Sequence, residues 1–72
     1  MPNQHIVPHE GNWAVRAEKA RRITAEFKTQ REAFNFGRGI AQNQGEELFL
    51  HGKDGRIRER NSYGQDPYPP RG

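Results

Sequence analysis

The 72-residue chain contains no cysteine, a single serine, a single tryptophan and no apolar run near the length of a membrane span. Without cysteine there are no disulfides and no thiolate zinc sites, and a reducing compartment is the natural setting. No run approaches the roughly 20 apolar residues of a spanning helix, and the polar N-terminus does not resemble a secretion signal. The expectation is a cytoplasmic protein with no membrane association. Nucleophiles are equally scarce. Ser62 combines with His51 and Asp54 only into a nominal triad, with no Gly-x-Ser-x-Gly elbow around it. Asp54 is better explained by turn chemistry. A domain this small also has little room for a deep pocket of a few hundred Å³. His5 and His9 flank a strand and a turn rather than sharing a helical face, and no third ligand is near, so no metal is expected. The expectation is a non-enzymatic protein without a cofactor.

What the chain has in quantity is arginine. Nine of its twelve basic residues are Arg, the formal charge is +3, and the isoelectric point is near 9.8. Arginine presents a planar fork of donors suited to phosphate and carboxylate. Only 31% of residues are hydrophobic, a fraction that permits disorder, but their spacing is that of a fold.

His5–Pro8 and Trp13–Arg16 read as short strands joined by a turn-rich tetrapeptide. Pairing Ile6 with Val15 and Pro8 with Trp13 gathers those four on one face and leaves Val7 and Ala14 on the other. Pro8 cannot donate to a ladder, which places it at a sheet edge or strand end. A charged connection at Ala17–Arg21 leads to a third strand, Arg22–Phe27, with Ile23, Ala25 and Phe27 inward and Val15 opposite Ile23. Thr29-Gln-Arg-Glu32 is a capping box, so a helix is predicted from Gln30 to Gln44 with Gly45 as its left-handed cap. Gly37 lies in the buried stripe, where it permits close approach to the sheet; Gly39 lies on the wet side. Glu46–His51 and Arg56–Arg60 form a hairpin around Asp54-Gly55, with Leu50 opposite Ile57, Phe49 opposite Arg58 and Glu47 opposite Arg60. The order β-β-β-α-β-β is an α+β fold: one domain over residues 5–60, a mainly antiparallel sheet and one helix on one face. Residues 1–4 read as a flexible start and residues 61–72 as an extended, proline-rich tail, with Tyr63 and Tyr68 packing it onto the sheet or a neighbouring subunit, or with Pro67-Tyr-Pro-Pro70 as a preformed strip for a partner's aromatic groove.

Side chains two apart on a strand face the same way. The sheet face away from the helix is therefore expected to carry Arg16, Arg22, Thr24, Phe49, His51, Arg56, Arg58 and Arg60. Guanidiniums beside an exposed aromatic suit DNA or RNA, above all single strands, with arginine on phosphates and Phe49 stacked on a base. A solvated face has the same composition, its arginines pairing with Glu26, Glu47 and Glu59. So has the interface of a homodimer burying Val7, Ala14 and Phe49, or the surface of a protein-interaction adaptor or phage-type host-modulating protein that meets an acidic protein partner. A small hydrolase around His51 and Ser62 is the remaining alternative.

The block His51-Gly-Lys-Asp-Gly-Arg-Ile-Arg-Glu-Arg-Asn-Ser-Tyr-Gly64, followed by Asp66-Pro-Tyr-Pro-Pro70, resembles the C-terminal signature of short bacterial and phage proteins grouped as domain-of-unknown-function family 2188. His5-Ile-Val-Pro-His9, Trp13-Ala-Val15 and Thr29-Gln-Arg-Glu-Ala33 are similar to the same family. The resemblance spans nearly the whole chain. It implies a small stand-alone α+β domain and supplies no activity or catalytic residues.

Overall fold

The computed structural model describes residues 3–64. Five strands and one helix follow in the expected order: β1 (Gln4–His9), β2 (Asn12–Ala17), β3 (Ala25–Phe27), α1 (Gln30–Gln44), β4 (Glu47–His51) and β5 (Ile57–Ser62). The sheet order is β3-β2-β1-β4-β5. All neighbouring pairs are antiparallel except β1 and β4. That parallel pair arises because α1 carries the chain from the β3 edge, over β2 and β1, to the far side of β1.

Ile6 pairs with Val15 and Pro8 with Trp13, the register their hydrophobicity demands. The β1–β4 ladder covers only Gln4–Ile6, so the missing N–H of Pro8 costs no hydrogen bond there. Ile6, Val15 and Leu48 from the sheet meet Ala33 and Ala41 of the helix in a fully buried cluster, with Trp13, Phe27, Phe34, Ile40, Leu50 and Tyr63 around it. Gly37 lets the two layers meet: a Cβ there would lie 2.7 Å from Ile6 Cδ1 and 3.1 Å from Leu48 Cδ1. The Glu32 N–H donates to Thr29 Oγ1 at 3.1 Å, and Gly45 closes the helix at φ 66°. Both ends are thus set by the residues predicted to set them.

Several boundaries and registers differ from expectation. β1 begins at Gln4, which is buried, and Asn3 is anchored by accepting the Glu18 N–H on its carbonyl at 2.7 Å. β3 is only three residues long and slips by two, setting Val15 opposite Ala25 rather than Ile23. The cause is the preceding loop: β2 continues to Ala17, and the chain turns at Lys19 with φ 68° before rejoining the sheet. β5 runs to Ser62, so Asn61 and Ser62 belong to the sheet. Tyr63 follows, its N–H donating to the Glu46 carbonyl at 3.0 Å. Residues 65–72, with Tyr68 and the prolines of the expected tail, lie outside the described residues. Among the described residues no helix is long and apolar enough to cross a membrane.

Candidate functional site

The open face of the sheet is organised by a cross-strand row. Arg16 on β2 pairs with His5 on β1, His5 with Phe49 on β4, and Phe49 with Arg60 on β5. At about 4.8 Å per strand the two arginines start roughly 14 Å apart. Between them the His5 and Phe49 rings stack, with centroids 4.8 Å apart and planes at 22°. Phe49 is therefore half-buried beneath a neighbour instead of standing alone, and the residue opposite it is Arg60 rather than Arg58.

The change of partner follows from the hairpin. Gly55, at φ 86°, donates its N–H to the Gly52 carbonyl at 2.9 Å, and the Gly52 N–H donates to the Arg56 carbonyl at 2.8 Å. That closes a turn with one more residue than a simple four-residue loop. A second register shift falls between Leu50 and His51. Each one-residue shift exchanges the faces of a strand, and two restore them. Arg60 thus stays on the open side, whereas Ile57 falls opposite His51 and is 55% exposed instead of inward. Arg58 is the extra residue of the bulge. Its stem lies over Gly52, so close that a Cβ there would be 2.6 Å from Arg58 Cδ. Arg56 sits at the turn, where its backbone N–H donates to Asp54 Oδ1 at 3.0 Å. Arg56, Arg58 and Arg60 do not form a single row. Arg22 lies in the β2–β3 connection rather than in a strand.

A second organising feature joins residues 46 positions apart. His5 Nδ1 is 2.9 Å from His51 Nε2. His51 Nδ1 is 2.8 Å from the Gly55 carbonyl, and His5 Nε2 is 3.4 Å from Glu18 Oε1. The Asn3 amide donates to the same Glu18 oxygen at 3.1 Å. Carbonyl and carboxylate oxygens only accept. Three contacts would require three N–H groups and two neutral imidazoles carry two, so the three are not all hydrogen bonds while both rings are neutral. Burial disfavours the imidazolium and lowers the His5 pKa, while the Glu18 hydrogen bond works the other way. Glu18 itself is held below the usual carboxylate range by the Asn3 amide and by His5. No local pattern announces this chain of contacts, because the His5–His51 approach depends on the parallel pairing of β1 with β4.

The other expected groupings separate. Ser62 is opposite Glu47 and His51 opposite Ile57, four positions apart along β4. That is about 13 Å, so the nominal triad is not assembled. The apolar surface envisaged for a dimer is largely covered within the monomer: Ala14 has no exposed surface, and His5 stacks on Phe49. Among the described residues, no group of three potential metal ligands converges. Arg60 lies 3.9 Å from Glu47 and Arg56 3.9 Å from Asp54, with Glu47 half-buried and the other three exposed, so these long pairs contribute little. Arg16, Arg22 and Arg58 have no ion-pair partner among the described residues.

The profile of a family described as an uncharacterized protein conserved in bacteria (DUF2188) matches residues 4–63, which is all six elements of the fold. The chain belongs to this family. The chain is also similar to the uncharacterized protein YdaT of Bacillus subtilis (strain 168), with 33% identity over 57 residues. That match takes in 79% of this chain and 38% of the relative, so the chain spans well under half of YdaT's length. No solved structure matches. The matched region includes Arg16, His5, Phe49 and Arg60, so the cross-strand row lies inside the DUF2188 domain.

Proposed function

We propose that this DUF2188 domain is a non-catalytic nucleic-acid-binding module that uses the open face of its sheet. The observation that supports the reading is the row Arg16–His5–Phe49–Arg60, which brackets a stacked aromatic pair with two guanidiniums on rigid strands. Single-stranded nucleic acid calls for that combination: cations spaced along a backbone and flat apolar groups between them. Arg22 and Lys19, exposed in the β2–β3 connection, extend the positive rim beyond Arg16. Carboxylates thin this charge without cancelling it, since Glu47 meets Arg60 only at 3.9 Å.

The test is fluorescence anisotropy of labelled DNA and RNA oligonucleotides, single- and double-stranded, across a salt series. Contacts to about three phosphates give a log–log salt slope near −2 for single strands. Arg16→Ala and Arg60→Ala should each weaken binding and flatten the slope. Absence of binding at low salt, or affinity unchanged in the double variant, would overturn the reading.

A further inference from the structure

At the end of the sheet near the β4–β5 turn, on the helix side, an open hollow of about 620 Å³ lies between Trp13, Gln30 and the hairpin residues Gly52, Lys53, Asp54, Arg56, Ile57 and Arg58. We propose that this hollow binds a nucleoside phosphate, with the Trp13 indole as the stacking surface for the base and Arg58 and Lys53 as the phosphate donors.

Its size falls in the range of small-ligand sites. Its charge is one-sided. The single carboxylate, Asp54, is engaged by the Arg56 N–H at 3.0 Å and lies 3.9 Å from the Arg56 guanidinium. Lys53 and Arg58 have no carboxylate within ion-pair distance among the described residues. An anion entering the hollow therefore meets two uncompensated cations. Arg58 is also less free than a surface arginine, because its stem is laid over the buried Gly52.

The aromatic wall is the second observation. Trp13 packs one side on the core, yet it borders both this hollow and a smaller one of about 370 Å³, with Lys53 shared between them. Its indole N–H has no protein acceptor among the described residues and is not one of the buried unpartnered atoms, so it is open to solvent. A flat half-buried indole next to two cations without ion-pair partners matches the two halves of a nucleotide. Base stacking on such a ring is sequence-tolerant. The hollow is separate from the open-face row, and neither requires the other.

Trp13 is the only tryptophan, so its emission, excited at 295 nm, reports directly on the site. The full chain is titrated with uridine and adenosine monophosphates, with inorganic phosphate, and with a short phosphorylated oligothymidylate. The expected result is saturable quenching by nucleotides, competed by phosphate that does not itself quench. Arg58→Ala and Gly52→Ala, the latter displacing the Arg58 stem, should each weaken the response about tenfold, and Lys53→Ala should weaken it too. Arg16→Ala with Arg60→Ala should leave it intact, even if those changes abolish oligonucleotide binding. Quenching by monophosphates identifies a free nucleotide as ligand; quenching by the oligonucleotide alone identifies a nucleotide within a strand. No saturable change with any of these at millimolar concentration would overturn the proposal. So would quenching that persists undiminished in Arg58→Ala with unchanged circular dichroism.

Discussion

Two glycines in α1 offer an internally controlled test of how helix and sheet are held together. Gly37 and Gly39 sit two positions apart in the same helix, so replacing either with alanine gains a similar amount from helix propensity, about 0.8–1 kcal/mol. Packing distinguishes them. A Cβ at Gly39 meets nothing within 4 Å, whereas one at Gly37 lies 2.7 Å from Ile6 Cδ1 and 3.1 Å from Leu48 Cδ1. Carbon atoms in good contact sit about 3.5–4.0 Å apart, so at Gly37 the overlap with Ile6 approaches about 0.8 Å. Ile6 and Leu48 are both fully buried, so their terminal methyls have to shift within the core to make room. Overpacking of this kind costs roughly 1–3 kcal/mol. Gly39→Ala is expected to stabilise by about 1 kcal/mol, raising the melting temperature by roughly 4–8 °C for a domain of this size. Gly37→Ala is expected to be neutral to about 2 kcal/mol destabilising. Urea denaturation with constant slope measures both on one scale. If the two variants agreed to within about 0.5 kcal/mol, the sheet and helix would not be in the contact described, and the reasoning would fail.

Acid should act on the His5 contacts in a defined direction. The lowered His5 pKa means that the unfolded chain binds more protons as pH falls through 6.5, so stability present above that value is lost as pH falls toward the folded value. The lowered Glu18 pKa adds a further loss below about its ordinary value of 4.5. Denaturation midpoints measured from pH 7 to pH 4 should therefore decrease throughout, and a maximum near pH 5 would contradict the assignment. In a histidine NMR titration, Glu18→Gln should move the His5 pKa further down, since it replaces the partner whose hydrogen bond favours the imidazolium. Thr29→Ala removes the acceptor of the Glu32 N–H and should cost about 1 kcal/mol in the same urea assay. Gln4→Leu removes the amide that donates to the buried Glu46 at 3.2 Å and should cost about 1–3 kcal/mol by stranding that acceptor. A Gln4→Leu variant as stable as the parent would show the contact to be incidental.

How much of this was legible in the residues divides along local and non-local lines. Thr29, Glu32 and Gly45 carry the helix boundaries in their own chemistry, and the structure places those boundaries where the sequence does. Ile6 and Val15 fix the first hairpin because a one-residue slip would expose both. In the second hairpin Asp54-Gly55 marks the turn, but the local pattern implies a register that the structure does not have. Gly55 at positive φ implies an added residue after the turn, and the further shift at Leu50 and His51 has no residue that announces it. The candidate site suffered accordingly. Arg16, Phe49 and Arg60 stayed on the open face, but Arg58 moved to the bulge and Arg56 to the turn. His5 reads in the sequence as a strand residue and as a weak metal-ligand candidate beside His9. Its contacts with Phe49 and His51 depend on β4 inserting next to β1, a long-range pairing that no local pattern encodes. Trp13 reads as a core residue, and it packs partly on the core. Its second role as a wall of the hairpin hollow became visible only once Lys53 and Arg58 were placed beside it.

The most direct test of the central claim is the salt dependence of single-stranded oligonucleotide binding by the parent protein and by Arg16→Ala/Arg60→Ala. The account predicts binding that strengthens steeply as salt is lowered, with a slope near −2 that falls to about −0.7 when both arginines are removed. Binding with the same slope in parent and double variant, or none at low salt, would contradict it.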